Sequence, residues 1–190
     1  LERGVVQLCS ATGGRTLVLF TSHAQLRDTA QAIQRPLERE GIEVYAQTGS
    51  ASRHQLLRFF SEADKAVLLG ARSFWEGVDV PGPALSVLVI ARLPFDVPSD
   101  PIVSARSEIF DNPFMDYSVP EAVLRFRQGF GRLIRSRTDR GVVVVFDRRV
   151  ISKRYGSLFT DSLPAGCRIR QGKLALLPET AAMWINGTAA

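Results

Sequence analysis

Five short apolar runs separated by stretches of helical periodicity constrain the fold of this chain more than any other feature. They occupy residues 16–20, 42–45, 66–69, 85–91 and 141–146, and only the second, which is also interpreted as a strand, contains a charged residue, Glu43. A continuous apolar run of this length is typical of a strand that is buried on both faces. Such strands, joined by helices, predict an α/β fold with a doubly wound, mainly parallel sheet and helices on both faces. Ligands of such a sheet collect at the carboxyl ends of its strands.

Helix-start signals occur between these apolar runs. Ser22 and Ser52 each precede a glutamine by three positions, which is a weak form of the capping box. Ser118 with Glu121 matches the full capping box and predicts that a longer helix begins at Ser118. A further helix is expected over about 102–110. The region after about residue 155 is less regular, with a short strand predicted at 174–177 and a short helix at 179–185.

Arginines are concentrated on the predicted helix that begins at Ser118. At helical spacing, Gln128, Arg132 and Arg135 stack on one side of it, opposite an apolar side. Gly129 and Gly131 lie in the same stretch, where a glycine costs about 1 kcal/mol relative to alanine. These glycines predict the close approach of another backbone or of a ligand, or else they end the helix early. Periodicity alone does not distinguish this arginine row from a solvated basic face.

The charge distribution indicates a phosphate-rich partner. The formal net charge is +5, and basic residues dominate residues 125–154 while acidic residues dominate residues 96–121. Such polarity suits either nucleic acid or a nucleotide. Arginine greatly outnumbers lysine in the basic region, which favours bidentate phosphate contacts.

Several classes of protein are disfavoured by composition. No apolar run reaches the roughly 18 residues that span a bilayer, and no signal peptide is evident, so we expect a cytoplasmic protein without a membrane segment. The two cysteines, Cys9 and Cys167, suit reduced thiols rather than a disulfide framework. His23 and His54 lack neighbours at ligand spacing, so we expect no metal site in this chain. Since the chain begins without Met, we interpret it as a fragment.

Three segments resemble helicase motifs and occur in the order of that family. Residues 128–135, Gln-Gly-Phe-Gly-Arg-Leu-Ile-Arg, resemble motif VI of superfamily 2 helicases. Residues 70–82 contain Phe-Trp-Glu-Gly-Val-Asp and resemble motif V in its DinG/XPD form, while residues 17–22 are similar to motif IV. The connector at residues 92–101 also fits the DinG branch. The resemblance covers about residues 13–154 and implies the second, C-terminal RecA-like lobe of a DinG/XPD-like DNA helicase, closest to bacterial DinG.

The resemblance implies roles for specific residues. The arginine fingers that face the γ-phosphate would be Arg132 and Arg135. The residue that helps couple this site to the interface between the lobes would be Gln128. The residues near the nucleotide would be Glu76, Gly77 and Asp79. The residues that contact single-stranded DNA would be Thr21, Ser22 and Ser73. Phe74 and Trp75, which belong to the motif V segment, are interpreted as core side chains.

Other elements of such a motor are missing from the sequence. It has no G-x-x-x-x-G-K-[ST] loop, no Walker B segment and no set of four cysteines. The resemblance places these in a first RecA-like lobe of the same polypeptide, which would hold most of the ATP and Mg²⁺ and, in some members, an iron–sulfur cluster. We therefore expect residues 1–190 to form a single lobe, with an extension at 155–190, that is inactive alone. The full-length parent is expected to be an ATP-dependent DNA helicase of 5′→3′ polarity.

Two other functions remain open at this stage. The chain could be a nucleic-acid-binding or regulatory module that has kept the fold and lost motor activity. Pure binding does not require the row of Gln128, Arg132 and Arg135, which argues against this alternative. A nuclease lobe would need clustered carboxylates for metal ions, whereas the acidic residues at 96–121 are scattered.

Overall fold

A single parallel sheet of five strands lies at the centre of the molecule, in the order β2-β3-β1-β4-β5. The computed structural model describes residues 1–75, 85–133 and 140–188. All four neighbouring strand pairs are parallel. The strands are β1 (Thr16–Leu19), β2 (Glu43–Ala46), β3 (Ala66–Gly70), β4 (Val87–Ile90) and β5 (Val142–Val145). Each lies in one of the predicted apolar runs or overlaps it, so the prediction of a doubly wound parallel sheet is confirmed.

Helices cover both faces of this sheet. They are α1 (Glu2–Thr12), α2 (His23–Glu38), α3 (Arg53–Glu62), α4 (Arg72–Trp75), α5 (Pro101–Ser107), α6 (Val119–Phe130), α7 (Arg149–Ser152), α8 (Gly156–Asp161) and α9 (Leu177–Ile185). A π-helical turn at Phe114–Ser118 leads into α6, and a 3-10 turn at Leu174–Leu176 leads into α9.

Alternation along the strands divides the core into two halves. Successive side chains of a strand point to opposite faces, so Val18 and Phe20 join one half while Leu17 and Leu19 join the other. Helices α1 and α2 pack on the first face with part of α9. Helices α3, α4, α6 and α8 pack on the second face. The three central strands, β1, β3 and β4, are therefore buried on both sides. The edge strands β2 and β5 are only partly buried.

Two of the three predicted helix starts have the expected caps. The Ser22 hydroxyl accepts a hydrogen bond from the Gln25 N–H at 3.4 Å, and Ser52 forms a complete capping box with Gln55. At Ser118 the α-helix α6 begins as predicted, but the predicted capping box is absent. Ser118 has helical dihedral angles (φ −66°, ψ −40°) and makes no side-chain capping bond, because the π-helical turn before it already continues the helix.

The termini differ from the sequence-based expectation. Helix α1 was not predicted from the sequence, although it buries Val5, Leu8 and Cys9 against the sheet and ends at Gly13 with a left-handed φ of 71°. The strand predicted at 174–177 is wrong, because this segment forms a 3-10 turn followed by the first residue of α9. The short helix predicted at 179–185 is confirmed as part of α9.

The chain reverses its winding direction between β1 and β4. These strands are neighbours, but α2, which follows β1, packs on one face of the sheet, whereas α6, which follows β4, packs on the other. A crevice outside the carboxyl ends of such strands is the usual ligand position in open α/β sheets.

Candidate functional site

Trp75 joins three separate segments at the carboxyl edge of the sheet. Its side chain is 2% exposed, and its Nε1–H donates to the Phe20 carbonyl oxygen at 3.0 Å. A Cβ atom placed on Gly129 would lie 3.2 Å from two atoms of the Trp75 ring. The end of β1, helix α4 and the last turn of α6 therefore meet at one buried side chain. The interpretation of Phe74 and Trp75 as core residues is confirmed.

Helix α6 ends earlier than a continuous arginine row requires. It stops at Phe130 with Gly131 as its C-cap, and the Arg132 N–H donates to the Gly129 carbonyl at 3.1 Å in the turn that follows. The prediction that Gln128, Arg132 and Arg135 stack along one helix is therefore wrong for Arg132, and Arg135 lies outside the described residues. Gly129 and Gly131 favour this early end of α6, because glycine has a low helix propensity.

The two glycines have different surroundings. Gly129 is buried and admits the Trp75 ring, so the predicted close approach is confirmed there, with a side chain as the neighbour. Gly131 is exposed, and an added Cβ would meet only backbone oxygens of its own helix, at 3.5 Å or more. The exposed Gln128 and the half-buried Arg132 flank this open position.

Arg125, which the sequence places beside the arginine row, is directed back onto the protein. Its Nη2 lies 2.6 Å from Asp96 Oδ2 and 3.7 Å from Glu121, and its side chain is only 16% exposed. Asp96 is 10% exposed and also lies 3.5 Å from Arg72 of α4. One carboxylate in the connector after β4 therefore ties α6 to α4, and Arg125 is neutralised within the chain.

A second carboxylate fixes the same connector from the other side. Asp147 follows β5, and its carboxylate accepts hydrogen bonds from the Leu93 N–H at 2.9 Å and from the Arg149 guanidinium at 2.6 Å. Burial raises the pKa of Asp147, but the hydrogen bonds from Arg149 and from the backbone more than offset this effect. The pKa of Asp147 is consequently held below its usual range. The Arg149 guanidinium also lies 5.2 Å from the centre of the Phe95 ring.

The residues expected to contact DNA lie after neighbouring strands. Thr21 and Ser22 are exposed directly after β1, and Ser22 caps α2. Ser73 is exposed in α4, which follows β3. Since β1 and β3 are paired, and the Phe20 N–H donates to the Gly70 carbonyl at 2.9 Å, these two segments leave the sheet side by side.

Gln47 was missed by the sequence reasoning. It follows β2, and its side-chain amide contacts both the Ala71 N–H and the Ser73 hydroxyl at 2.9 Å. Arg53, at the start of α3, donates to the Ser73 carbonyl at 3.1 Å. The available signal was a polar residue directly after an apolar strand, but its partners become evident only once β2 is placed beside β3.

Some expected features fall outside what the structure describes. Glu76, Gly77 and Asp79, the residues expected near the nucleotide, lie outside the described residues. Over the described ranges, no group of three His, Cys, Asp or Glu side chains could hold a metal ion. Over those same ranges, no helix is long and apolar enough to cross a membrane.

Comparison with known families defines the class of this protein. The model of the helicase C-terminal domain matches residues 5–166, so the chain belongs to that family. A solved XPD structure in its apo form shares the fold, with a TM-score of 0.63 and 19% identity over 84% of this chain and 33% of that chain. Xpd4 of S. tokodaii gives a TM-score of 0.54 at 20% identity over 84% of this chain and 31% of that chain. These likenesses confirm a RecA-like fold.

The curated relatives that resemble this chain include proteins named DinG and YoaA. It is 45% identical over 156 residues to the 3′-5′ exonuclease DinG of Bacillus subtilis, which covers 79% of this chain and 17% of that protein. It is 42% identical to the ATP-dependent DNA helicase YoaA of Escherichia coli, over 86% of this chain and 26% of that protein. The ATP-dependent helicase DinG of Mycobacterium tuberculosis is also 42% identical, over 84% of this chain and 24% of that protein. The chain thus spans about a quarter or less of these relatives.

Proposed function

We propose that this chain is the second motor lobe of an ATP-dependent DNA helicase and completes an ATP site held mainly by a first RecA-like lobe of the same polypeptide. The observation that carries the proposal is the meeting of the motif IV, V and VI segments around Trp75, at the carboxyl edge of the sheet. Ligands of open α/β sheets bind at this edge. The names of the YoaA and DinG relatives support ATP and DNA as the ligands.

The proposed contribution to ATP hydrolysis comes from Gln128, Arg132 and Arg135. Negative charge on the γ-phosphate oxygens during phosphoryl transfer is stabilised by a permanently charged, planar guanidinium. In other NTPases such an arginine contributes about 10³–10⁵ in turnover. Arg132 lies two residues beyond the end of α6 and is half-buried, and Gln128 is exposed in the last turn of that helix. We assign this end of α6 to the side that faces the first lobe. On this proposal Glu76, Gly77 and Asp79 line the nucleotide side of the cleft.

The proposed DNA track runs along the segments that follow β1 and β3. Thr21, Ser22 and Ser73 present exposed hydroxyl or backbone groups that suit the phosphodiester backbone of a single strand. Alternate closing and opening of the two lobes would then move the strand, with the 5′→3′ polarity of the family.

Mg²⁺ and any iron–sulfur cluster are assigned to other parts of the polypeptide. Mg²⁺ prefers carboxylate and phosphate oxygens, and the described part of this chain offers no matching group of three side chains. Its cysteines, Cys9 and Cys167, are too few for a four-cysteine cluster. When bound by the first lobe, Mg²⁺ would neutralise charge on the transferring phosphate.

The proposal is tested by single-stranded-DNA-stimulated ATP turnover of the full-length protein that contains this chain. Arg135→Ala is expected to lower turnover at least about a hundredfold while nucleotide binding is retained. Arg127→Ala serves as the matched control, because Arg127 is an exposed arginine in the last turn of α6 to which no role in hydrolysis is assigned. Equal turnover of the two variants would refute the arginine-finger role and favour a nucleic-acid-binding module.

The isolated lobe provides a second test. We expect the 190-residue chain alone to show no steady ATP turnover, since it has no phosphate-binding G-x-x-x-x-G-K-[ST] loop. Turnover by the purified chain that Arg132→Ala abolishes would contradict this expectation.

A further inference from the structure

Gln47 connects the loop after β2 to the segment that carries Ser73. The Gln47 N–H extends the β2–β3 ladder by donating to the Leu69 carbonyl at 3.0 Å. This bond fixes the backbone of Gln47 at the carboxyl edge of the sheet. Its half-buried side chain then reaches across to the first residues after β3.

The contacts of the Gln47 amide determine which way it points. The Ala71 backbone N–H can only donate, so the group that faces it at 2.9 Å is the amide oxygen Oε1. The amide nitrogen Nε2 must then face Ser73 Oγ, which lies 2.9 Å away. Ser73 Oγ therefore accepts a hydrogen bond from Gln47.

The direction of this hydrogen bond determines which further hydrogen bonds the Ser73 hydroxyl can make. A hydroxyl group has one donor hydrogen and two acceptor lone pairs. Since Gln47 donates to a lone pair, the hydroxyl hydrogen points away from the amide, and the Ser73 side chain is exposed. Hydrogen bonds arranged in a chain also polarise one another, which strengthens the terminal donor.

Arg53 holds the backbone of the same segment. Its Nη1 donates to the Ser73 backbone carbonyl at 3.1 Å. A hydroxyl that donates outwards forms its strongest hydrogen bond with an anionic acceptor. Within the proposed DNA track, that acceptor is a phosphodiester oxygen.

We propose that Gln47 is a positioning residue that orients the Ser73 hydroxyl as a hydrogen-bond donor to a phosphate of single-stranded DNA. The proposal rests on the proposed function, because it assumes that a DNA strand passes Ser73. Beyond that function, it identifies Gln47 as the residue that orients the contact and a phosphate oxygen as the group that is contacted.

The test is the affinity of the full-length protein for a labelled oligothymidylate, measured without nucleotide at one fixed salt concentration. In Gln47→Glu, the near-isosteric side chain still accepts from the Ala71 N–H but cannot donate to Ser73 Oγ. It instead accepts the Ser73 hydrogen, which removes the outward donor. We expect the dissociation constant to rise about tenfold or more.

A matched control separates this effect from the added negative charge. Gln55→Glu introduces the same charge at the start of α3, where Gln55 Oε1 accepts from the Ser52 N–H at 2.8 Å. A glutamate preserves that capping bond. An affinity of Gln47→Glu equal to that of Gln55→Glu would overturn the proposal.

Ser73→Ala provides a readout that a merely structural role of Gln47 would not change. It removes the terminal hydroxyl and leaves the bond between Gln47 and Ala71 in place. If the two side chains act as one unit, the double variant binds no more weakly than the weaker single variant. Additive losses, or full affinity of Ser73→Ala, would refute the inference. Failure of the wild-type protein to bind the oligonucleotide would instead refute the DNA track itself.

Discussion

Replacement of Asp147 by asparagine tests how strongly the connector after β4 is held. The Asp147 side chain is 9% exposed, and its two carboxylate oxygens accept from the Leu93 N–H and the Arg149 N–H and guanidinium. In Asp147→Asn one oxygen remains, and the other becomes an amide group that cannot accept from the guanidinium. With the remaining oxygen at the Oδ2 position, the bonds from the Leu93 N–H and from Arg149 Nη2 at 2.6 Å keep an acceptor that is no longer charged. The bonds that Oδ1 accepts from the Arg149 N–H and Nε–H are lost.

The expected loss in free energy of unfolding follows from the number of contacts that are lost and from their exposure to water. A hydrogen bond between charged groups is worth roughly 1.5–3 kcal/mol. The Arg149 side chain is 39% exposed, so water recovers part of that energy for the guanidinium. We therefore expect the free energy of unfolding to fall by about 2 kcal/mol, which corresponds to a drop in Tm of about 4–8 °C for a domain of this size.

Urea unfolding of the chain at neutral pH measures this difference. Asp100→Asn is the matched control, because Asp100 caps α5 by accepting from the Ile102 N–H at 2.9 Å and asparagine caps equally well. Its unfolding free energy should stay within about 0.5 kcal/mol of the wild type. An equally small change in Asp147→Asn would refute the reasoning.

The difference in unfolding free energy between the wild type and Asp147→Asn should decrease at acidic pH. The folded-state pKa of Asp147 lies below its ordinary value of 3.8, so its ionised form contributes stability above that value. This contribution is lost as the pH falls through the folded-state pKa. The gap between wild type and Asp147→Asn should thus be constant at neutral pH and shrink under acidic conditions. A gap that persists undiminished in acid would show that the carboxylate charge is not its source.

Three further predictions follow from buried contacts. Gly129→Ala should lower the free energy of unfolding by about 1–3 kcal/mol in urea titrations, because the Trp75 ring lies 3.2 Å from the added Cβ. Gly131→Ala, where the added Cβ has room, should leave stability unchanged, and equal losses would refute this distinction. Trp75→Phe should cost about 2 kcal/mol by leaving the Phe20 carbonyl without its donor, and a loss under about 0.5 kcal/mol would count against that hydrogen bond. Cys9 is fully buried, which also raises its pKa to about 11, so in a variant lacking the other cysteine a thiol reagent at pH 8 should react only with unfolded molecules, and prompt labelling would contradict this.

The sheet could be predicted from sequence because its central strands, β1, β3 and β4, are buried on both faces. Continuous apolar runs then carry the signal without any knowledge of neighbours. The starts of α2 and α3 were also predictable, since Ser22 and Ser52 form their caps within three residues along the chain.

The start and end of α6 depend on tertiary contacts that the local sequence does not contain. Phe114 packs 5.7 Å from the Phe95 ring and 5.2 Å from the Tyr155 ring, and the chain is already helical between Phe114 and Ser118. The capping pattern at Ser118 is therefore overridden. Likewise, the amide of Gln47 finds its partners only because β2 lies beside β3, so its role could not be inferred from spacing.

The structure links α4 to α6 through one buried side chain and one carboxylate that pairs with an arginine of each helix. Trp75 belongs to α4, which carries Ser73, and contacts Gly129 of α6. Asp96 joins α4 and α6 a second time, through Arg72 and Arg125. Close-packed interiors transmit displacement instead of absorbing it, so a bound DNA strand that shifts α4 should also shift the end of α6. In the proposed motor, this route connects DNA contact to the arginines. Loss of the Trp75 ring should then reduce the stimulation of ATP turnover by DNA more than turnover without DNA.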